Sequence, residues 1–154
     1  LPSEISAAFA LEQLKKLPRN IKQRVYNFEK LRSFFSRFPE LYELPEQLKG
    51  LITPWLAYPV IIKSKSKINR QKLQIFLERK GIQTRTIFTG NILKQPVMKN
   101  RKFKKLKNIG QVSDDVMKNG ILLGCHHGMK KNEILYMYNS IYEFIKKKTK
   151  YNYL

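Results

Sequence analysis

Trp55-Leu56-Ala57-Tyr58-Pro59-Val60-Ile61-Ile62-Lys63 is the best strand candidate in the chain, dense in aromatic and β-branched residues that suit a pleated, half-buried surface. Pro59 lacks an amide donor, which demotes part of this strand to an edge or a bulge. Downstream, Ser64 to Lys67 is a polar turn. Asn69 then caps a helix with Leu73, Phe76 and Leu77 as its buried stripe, ending near Gly81. Thr84 to Phe88 reads as a short strand, and Thr89 to Lys107 as an aperiodic basic loop. Ser113, Asp114 and Asp115 form the cap and first turn of a short helix with Gly120 after it. Ile121 to Gly124 is a buried strand. Asn132 caps a last helix striped by Leu135, Tyr138, Ile141, Tyr142 and Ile145, and Lys146 to Lys150 sit at its C-terminus, where the helix dipole favours cations.

Upstream, Ala7, Ala8, Leu11, Leu14, Ile21, Val25, Phe28, Leu31 and Phe35 recur at helical spacing. They predict one long helix or a helix pair, with Ser3 and Ser6 as candidate N-caps and a kink or brief break at Pro18. The helix should end by Pro39, and Pro45, Gly50 and Pro54 mark an irregular connector. The chain thus divides into a helical part, 1–39, and a small domain, 54–150. The order is α–β–α–β–loop–α–β–α, an α+β layer in which helices cover a small sheet.

The 154 residues carry 31 Lys+Arg against 11 Asp+Glu, a net charge of +20, with 42% hydrophobic residues. That is enough apolar material for one core, so disorder is excluded as a class. No apolar run approaches the roughly 18 residues of a membrane span. Glu4 and Glu12 and the lack of a basic n-region argue against a signal peptide at the N-terminus. A single cysteine, Cys125, allows no internal disulfide and no thiolate cluster, and a reducing, cytoplasmic setting is the expectation. Between Gln47 and Ser113, Glu78 is the one acidic residue. Such a strip attracts polyanions, but the chain is also rich in Asn, Ile, Tyr and Phe, which share A/T-rich codons with Lys. Charge alone does not choose between the two explanations. The competing reading, a small basic nucleic-acid-binding domain, is disfavoured because Phe28, Phe35, Phe76 and Phe144 fall at core positions of helices and form no stacking platform.

No phosphate loop, metal-binding spacing or serine triad is present. His126 and His127 are adjacent and, on extended backbone, point to opposite faces, a poor arrangement for one metal. A Cys125–His dyad is conceivable, although a turn with one histidine facing a ligand is the simpler reading. Arg85 offers a fork for phosphate or carboxylate, and Asn91 and Gln95 offer amide donors and acceptors for hydroxyls. On residue types alone, an ordinary exposed loop with Arg85 salt-bridged to a neighbour is the favoured reading.

Three segments in order carry a resemblance. Glu4-Ile5-Ser6-Ala7-Ala8-Phe9-Ala10-Leu11-Glu12-Gln13-Leu14 resembles the E-x-x-A-A-x-G-x-x-Q-L helix of the DegT/DnrJ-type sugar aminotransferases. Gly81-Ile82-Gln83-Thr84-Arg85 resembles their G-I-x-T-R, and Leu123 to Met129 their L-P-x-H-P-G-M. Arg24 stands where the family has a basic residue. Gly90-Asn91-Ile92-Leu93-Lys94-Gln95-Pro96 is similar to the G-N-x-x-x-Q-P of the 4-keto-6-deoxyhexose 3-dehydrases, as are Trp55 and Tyr58-Pro59 to their W-F-G-F-P strand. Phe9-Ala10 and Gly124 depart from the family pattern.

The resemblance implies the small C-terminal domain of a fold-type I, pyridoxal phosphate-dependent enzyme of surface-polysaccharide (lipopolysaccharide) synthesis. The partners it implies are a nucleotide-diphosphate sugar and a large cofactor-binding domain outside this chain, with a homodimer for the intact enzyme. Arg85, Asn91, Gln95 and His126 would line the sugar-nucleotide mouth. The Schiff-base lysine (His in the dehydrases) and the carboxylate under the pyridine nitrogen belong to the large domain. The chain alone is therefore expected neither to hold the cofactor nor to turn over, and no catalytic residue is assigned to it.

Overall fold

The computed structural model describes residues 3–88, 90–103 and 110–149, with side chains to 147. Thr89, Lys104, Lys105, Lys107 and Lys150 of the expected loop and tail lie outside the described residues. Helix α1, Glu4–Phe35, opens on Ser3, whose side chain accepts from the Ser6 amide. It runs through Pro18 without the expected break. Pro18 leaves the Leu14 carbonyl without its helical donor, and Leu14 and Leu17 are exposed enough for water to take that place. Every residue from Ser3 to Arg19 is exposed, so the N-terminal half of the apolar stripe packs against nothing in the described chain. Burial begins lower down, at Asn27, Phe28, Leu31, Phe34 and Phe35.

Four strands form one antiparallel sheet in the order β1-β2-β4-β3: β1 Tyr42–Glu43, β2 Ala57–Ile62, β3 Thr84–Thr86 and β4 Gly120–Gly124. β1 falls in what the proline-rich sequence suggested was irregular connector. It pairs with β2 only at Ile61 and Ile62, so at Pro59 β2 has β4 on one side and no strand on the other. Proline sits in a nominally interior strand because that level is locally an edge.

Alternation sends Tyr58, Val60, Ile62, Ile121 and Leu123 to one face, all buried. On that face they meet Phe28, Leu31 and Phe35 of α1 and the helices α2, Arg70–Arg79, and α4, Lys131–Thr149. Phe35 stacks on Tyr58 and meets Tyr42 edge-on. Asn69 caps α2 as expected. At its other end Gly81, at φ +74, lets the Ile82 amide reach the Leu77 carbonyl and its own amide reach Glu78, a left-handed closure that favours glycine. The half-buried Phe76 packs on Phe144.

Other boundaries shift for local reasons. Helix α3, Gln111–Asn119, starts two residues before Ser113, at Gly110 with φ +95. Asp114 is therefore free to pair with Lys94 at 2.8 Å instead of capping. Two 3-10 turns, Ile92–Lys94 and Pro96–Met98, order part of the segment expected to be loop. On α4 the buried stripe is Ile134, Met137, Ile141, Phe144 and Ile145, while Leu135 faces out. The helix is apolar on adjoining faces, and packing on α2 and Phe34 selects the phase. Its start is closed by Glu133, which accepts from the Lys130 amide at 2.7 Å, and not by Asn132.

Glu143 ties α4 to α2 through Lys80 at 2.9 Å and pairs with Lys147 at 2.7 Å. Hydrogen bonds from Lys147 and then Lys80 hold its carboxyl down at about 2, from an ordinary 4.5. A depressed carboxylate stabilises above its unfolded value and loses that contribution as pH falls through the folded one. Stability from this tie should therefore fade between pH 4.5 and 2. Urea melts at stepped pH should show a flatter acid limb for Glu143→Gln.

Candidate functional site

At the end of the sheet where β2 begins and β4 ends, a cavity of about 600 Å³ opens between the β3 entry and the first turns of α4. Its walls are mostly apolar, with Leu56, Leu122, Met129 and Met137 among them, and Arg85, His126, Glu133 and Tyr136 supply its ionisable groups. A few polar groups on apolar walls is the usual make-up of a ligand pocket of this size.

The sheet places Arg85 and His126, and α4 supplies Asn132, Glu133 and Tyr136. Arg85 pairs across β3 and β4 with Leu122, and Leu122 pairs with Pro59. All three therefore lie on the face away from the buried core. His126 follows β4 after one buried residue, Cys125. Its carbonyl accepts from the Met129 amide at 3.2 Å, closing a turn around His127 and Gly128. A side chain at Gly128 would lie 3.2 Å from the His126 Nδ1, so the imidazole rests against this glycine. Asn132, read as a helix cap, instead lines the cavity beside Glu133 and Tyr136. The Tyr136 hydroxyl donates to the Lys80 carbonyl at 2.9 Å.

The structure brings Arg85 and His126 into one cavity and leaves Asn91 and Gln95 outside its lining. Asn91 is buried and its amide is fully committed. It accepts from the Leu93 amide at 3.0 Å and donates to Asp114 at 3.0 Å and to the Gly110 carbonyl. Lys94 and then Asn91 hold the Asp114 carboxyl below its ordinary value. Gln95 is half-buried between the two 3-10 turns.

Cys125 is fully buried with its thiol toward the Arg24 carbonyl. Burial pushes that thiol up to about 12, so it is no thiolate near neutrality and a Cys–His dyad does not form. Two residues carried signals that the sequence reading passed over. Phe88 is 83% exposed at φ +49, a rare conformation for an aromatic residue. Asn27 is a polar residue on the buried stripe of α1.

The cavity does not fit pyridoxal phosphate. Among the described residues lining it there is no lysine, and its one carboxylate, Glu133, is engaged with the Lys130 amide.

Residues 3–142 match the model of the DegT/DnrJ/EryC1/StrS aminotransferase family. The chain is 35% identical over 137 residues, 88% of its length, to the GDP-4-keto-6-deoxy-D-mannose 3-dehydratase of Escherichia coli O55:H7, covering 34% of that protein. It is 29% identical over 142 residues to the lipopolysaccharide biosynthesis protein RfbH of Salmonella typhimurium, with 92% of this chain and 32% of that one aligned. A crystal structure of GDP-4-keto-6-deoxymannose-3-dehydratase with a trapped PLP-glutamate geminal diamine superposes with a TM-score of 0.79. That match has 33% identity and covers 90% of this chain and 35% of the other. The chain thus spans about a third of the length of the curated relatives it matches. With the family model matching nearly end to end, and the fold matching solved members over the same stretch, the chain belongs to the DegT/DnrJ/EryC1/StrS aminotransferase family.

Proposed function

We propose that the chain serves as the small C-terminal domain of a nucleotide-sugar 3-dehydratase acting in lipopolysaccharide synthesis in the cytoplasm. The observation that carries this reading is the cavity that Arg85 and His126 both line, on mostly apolar walls. A guanidinium presents a planar fork to a diphosphate. An imidazole at the same mouth can hydrogen-bond a sugar hydroxyl or ketone, and Leu56, Leu122, Met129 and Met137 keep water from the bound face. Asn91 and Gln95 act one step back, holding the segment that follows β3 in place. Dehydration is preferred to amination because relatives above 30% identity are named 3-dehydratases.

Pyridoxal phosphate, held by a large domain, would supply the electron sink of such an enzyme; this chain would present the sugar nucleotide to it. The intact enzyme is proposed to be a homodimer. One observation favours this reading over nucleic-acid binding: the helix aromatics Phe28, Phe35 and Phe144 are spent in the core and offer no stacking platform.

A domain exchange tests the reading. Residues 3–142 would replace the matching third of the Escherichia coli dehydratase. The folded, cofactor-bearing hybrid should consume GDP-4-keto-6-deoxymannose. A hybrid that folds and holds the cofactor but leaves the sugar untouched would count against the proposal.

A further inference from the structure

Asn27 lies outside the lining of the cavity, yet it is the most deeply buried of the described polar residues, at 0% exposure. A buried amide is costly unless its donors and acceptor are used. Its Oδ1 accepts from the Gln23 side chain one helical turn earlier at 2.9 Å. Its Nδ2 donates to the carbonyl of His126 at 2.8 Å, across 99 residues of chain. That carbonyl also receives the Met129 amide, so one oxygen both closes the turn and docks it on α1. Next to it, the Cys125 thiol faces the Arg24 carbonyl at 3.9 Å. Two successive residues of the turn are thus held by α1 residues 24 and 27.

An apolar side chain would suit the surroundings of position 27, since Phe28 and Leu31 beside it are buried and apolar. What an apolar residue would lose is the donor to His126. We infer that Asn27 is a positioning residue: with Gln23 orienting its amide, it fixes the backbone that carries the His126 imidazole into the cavity. The inference rests on the sugar-nucleotide reading only for the ligand, because the docking itself is a property of the free chain.

The test reads the two imidazoles separately. Proton–carbon correlation spectra of the full chain would be assigned with His126→Ala and His127→Ala, then recorded for Asn27→Leu and for Gln23→Leu. Gln23 is half-buried and its replacement keeps Asn27 in place, so this second variant remains informative if Asn27→Leu fails to fold. The inference predicts that the His126 signals move or broaden in both variants while those of His127 stay fixed. It also predicts that affinity for GDP-mannose falls by about tenfold, the worth of one lost hydrogen bond to a positioned group. His126 signals unchanged in the folded variants would overturn it and make Asn27 a core filler. If His126 follows Asn27 but wild-type chain gives no response to GDP-mannose, the positioning role stands and the sugar-nucleotide reading fails.

Discussion

Phe35→Ala should lower the stability of the chain by about 3–5 kcal/mol, the usual loss for a large aromatic residue removed from a packed core. Phe35 is 1% exposed and sits where α1 meets the sheet. Its ring stacks on Tyr58 at 5.4 Å, meets Tyr42 at 5.0 Å, and touches Phe34 edge-on at 5.2 Å. Tyr58 and Phe34 cannot collapse into the gap without leaving their own partners, since Tyr58 also packs on Phe28 and Phe34 on Tyr138. The void therefore remains, and the cost falls at the upper end of the range. For a chain of this size the midpoint of thermal unfolding should drop by about 10 °C or more, read by calorimetry or far-ultraviolet dichroism. Leu14→Ala is the matched control. It lies on the same helix but 58% exposed, and it should change the midpoint little.

Arg85→Ala should weaken binding of a nucleotide-diphosphate sugar by about 10- to 100-fold, the range for losing a charge-assisted contact to phosphate. Arg85 opposes Leu122 on the outer face of the sheet edge, so its removal leaves the core face untouched and the thermal midpoint should hold. Arg85→Lys should recover only part of the affinity, because a point charge lacks the planar fork. A loss of affinity with an unchanged midpoint separates a binding role from a structural one.

β2 was legible from its run of β-branched and aromatic residues, and β4 from its short apolar run. β1 was not, because a two-residue strand bears no period and exists only through its pairing with Ile61 and Ile62. Helix α1 was legible as a helix, whereas the exposure of its first half was not. Ala7, Leu11 and Leu14 have core-like spacing and yet are exposed, and spacing cannot report what an apolar stripe packs against. The phase of α4 escaped for a related reason: Ile134 and Leu135 are chemically alike, and only packing puts one inside and the other out.

At the site, Arg85 and His126 could be named from their chemistry, but their meeting depends on the β3–β4 register, a long-range pairing. Asn91 had the right chemistry for hydroxyl recognition, and Leu93, Gly110 and Asp114 consume it. Asn27 left one trace, an amide at an apolar spacing, whose meaning needed a partner 99 residues away.

If this domain presents a sugar nucleotide through the cavity of Arg85 and His126, titration of the isotope-labelled chain with GDP-mannose, followed by amide and imidazole resonances, should give saturable shifts confined to Gly81–Arg85, Leu122–Met129 and the first turns of α4. Those shifts should be abolished in Arg85→Ala. Shifts that spread over the lysine-rich surface and vanish together as salt is raised, or no shifts at the cavity with the chain folded, would contradict this reading.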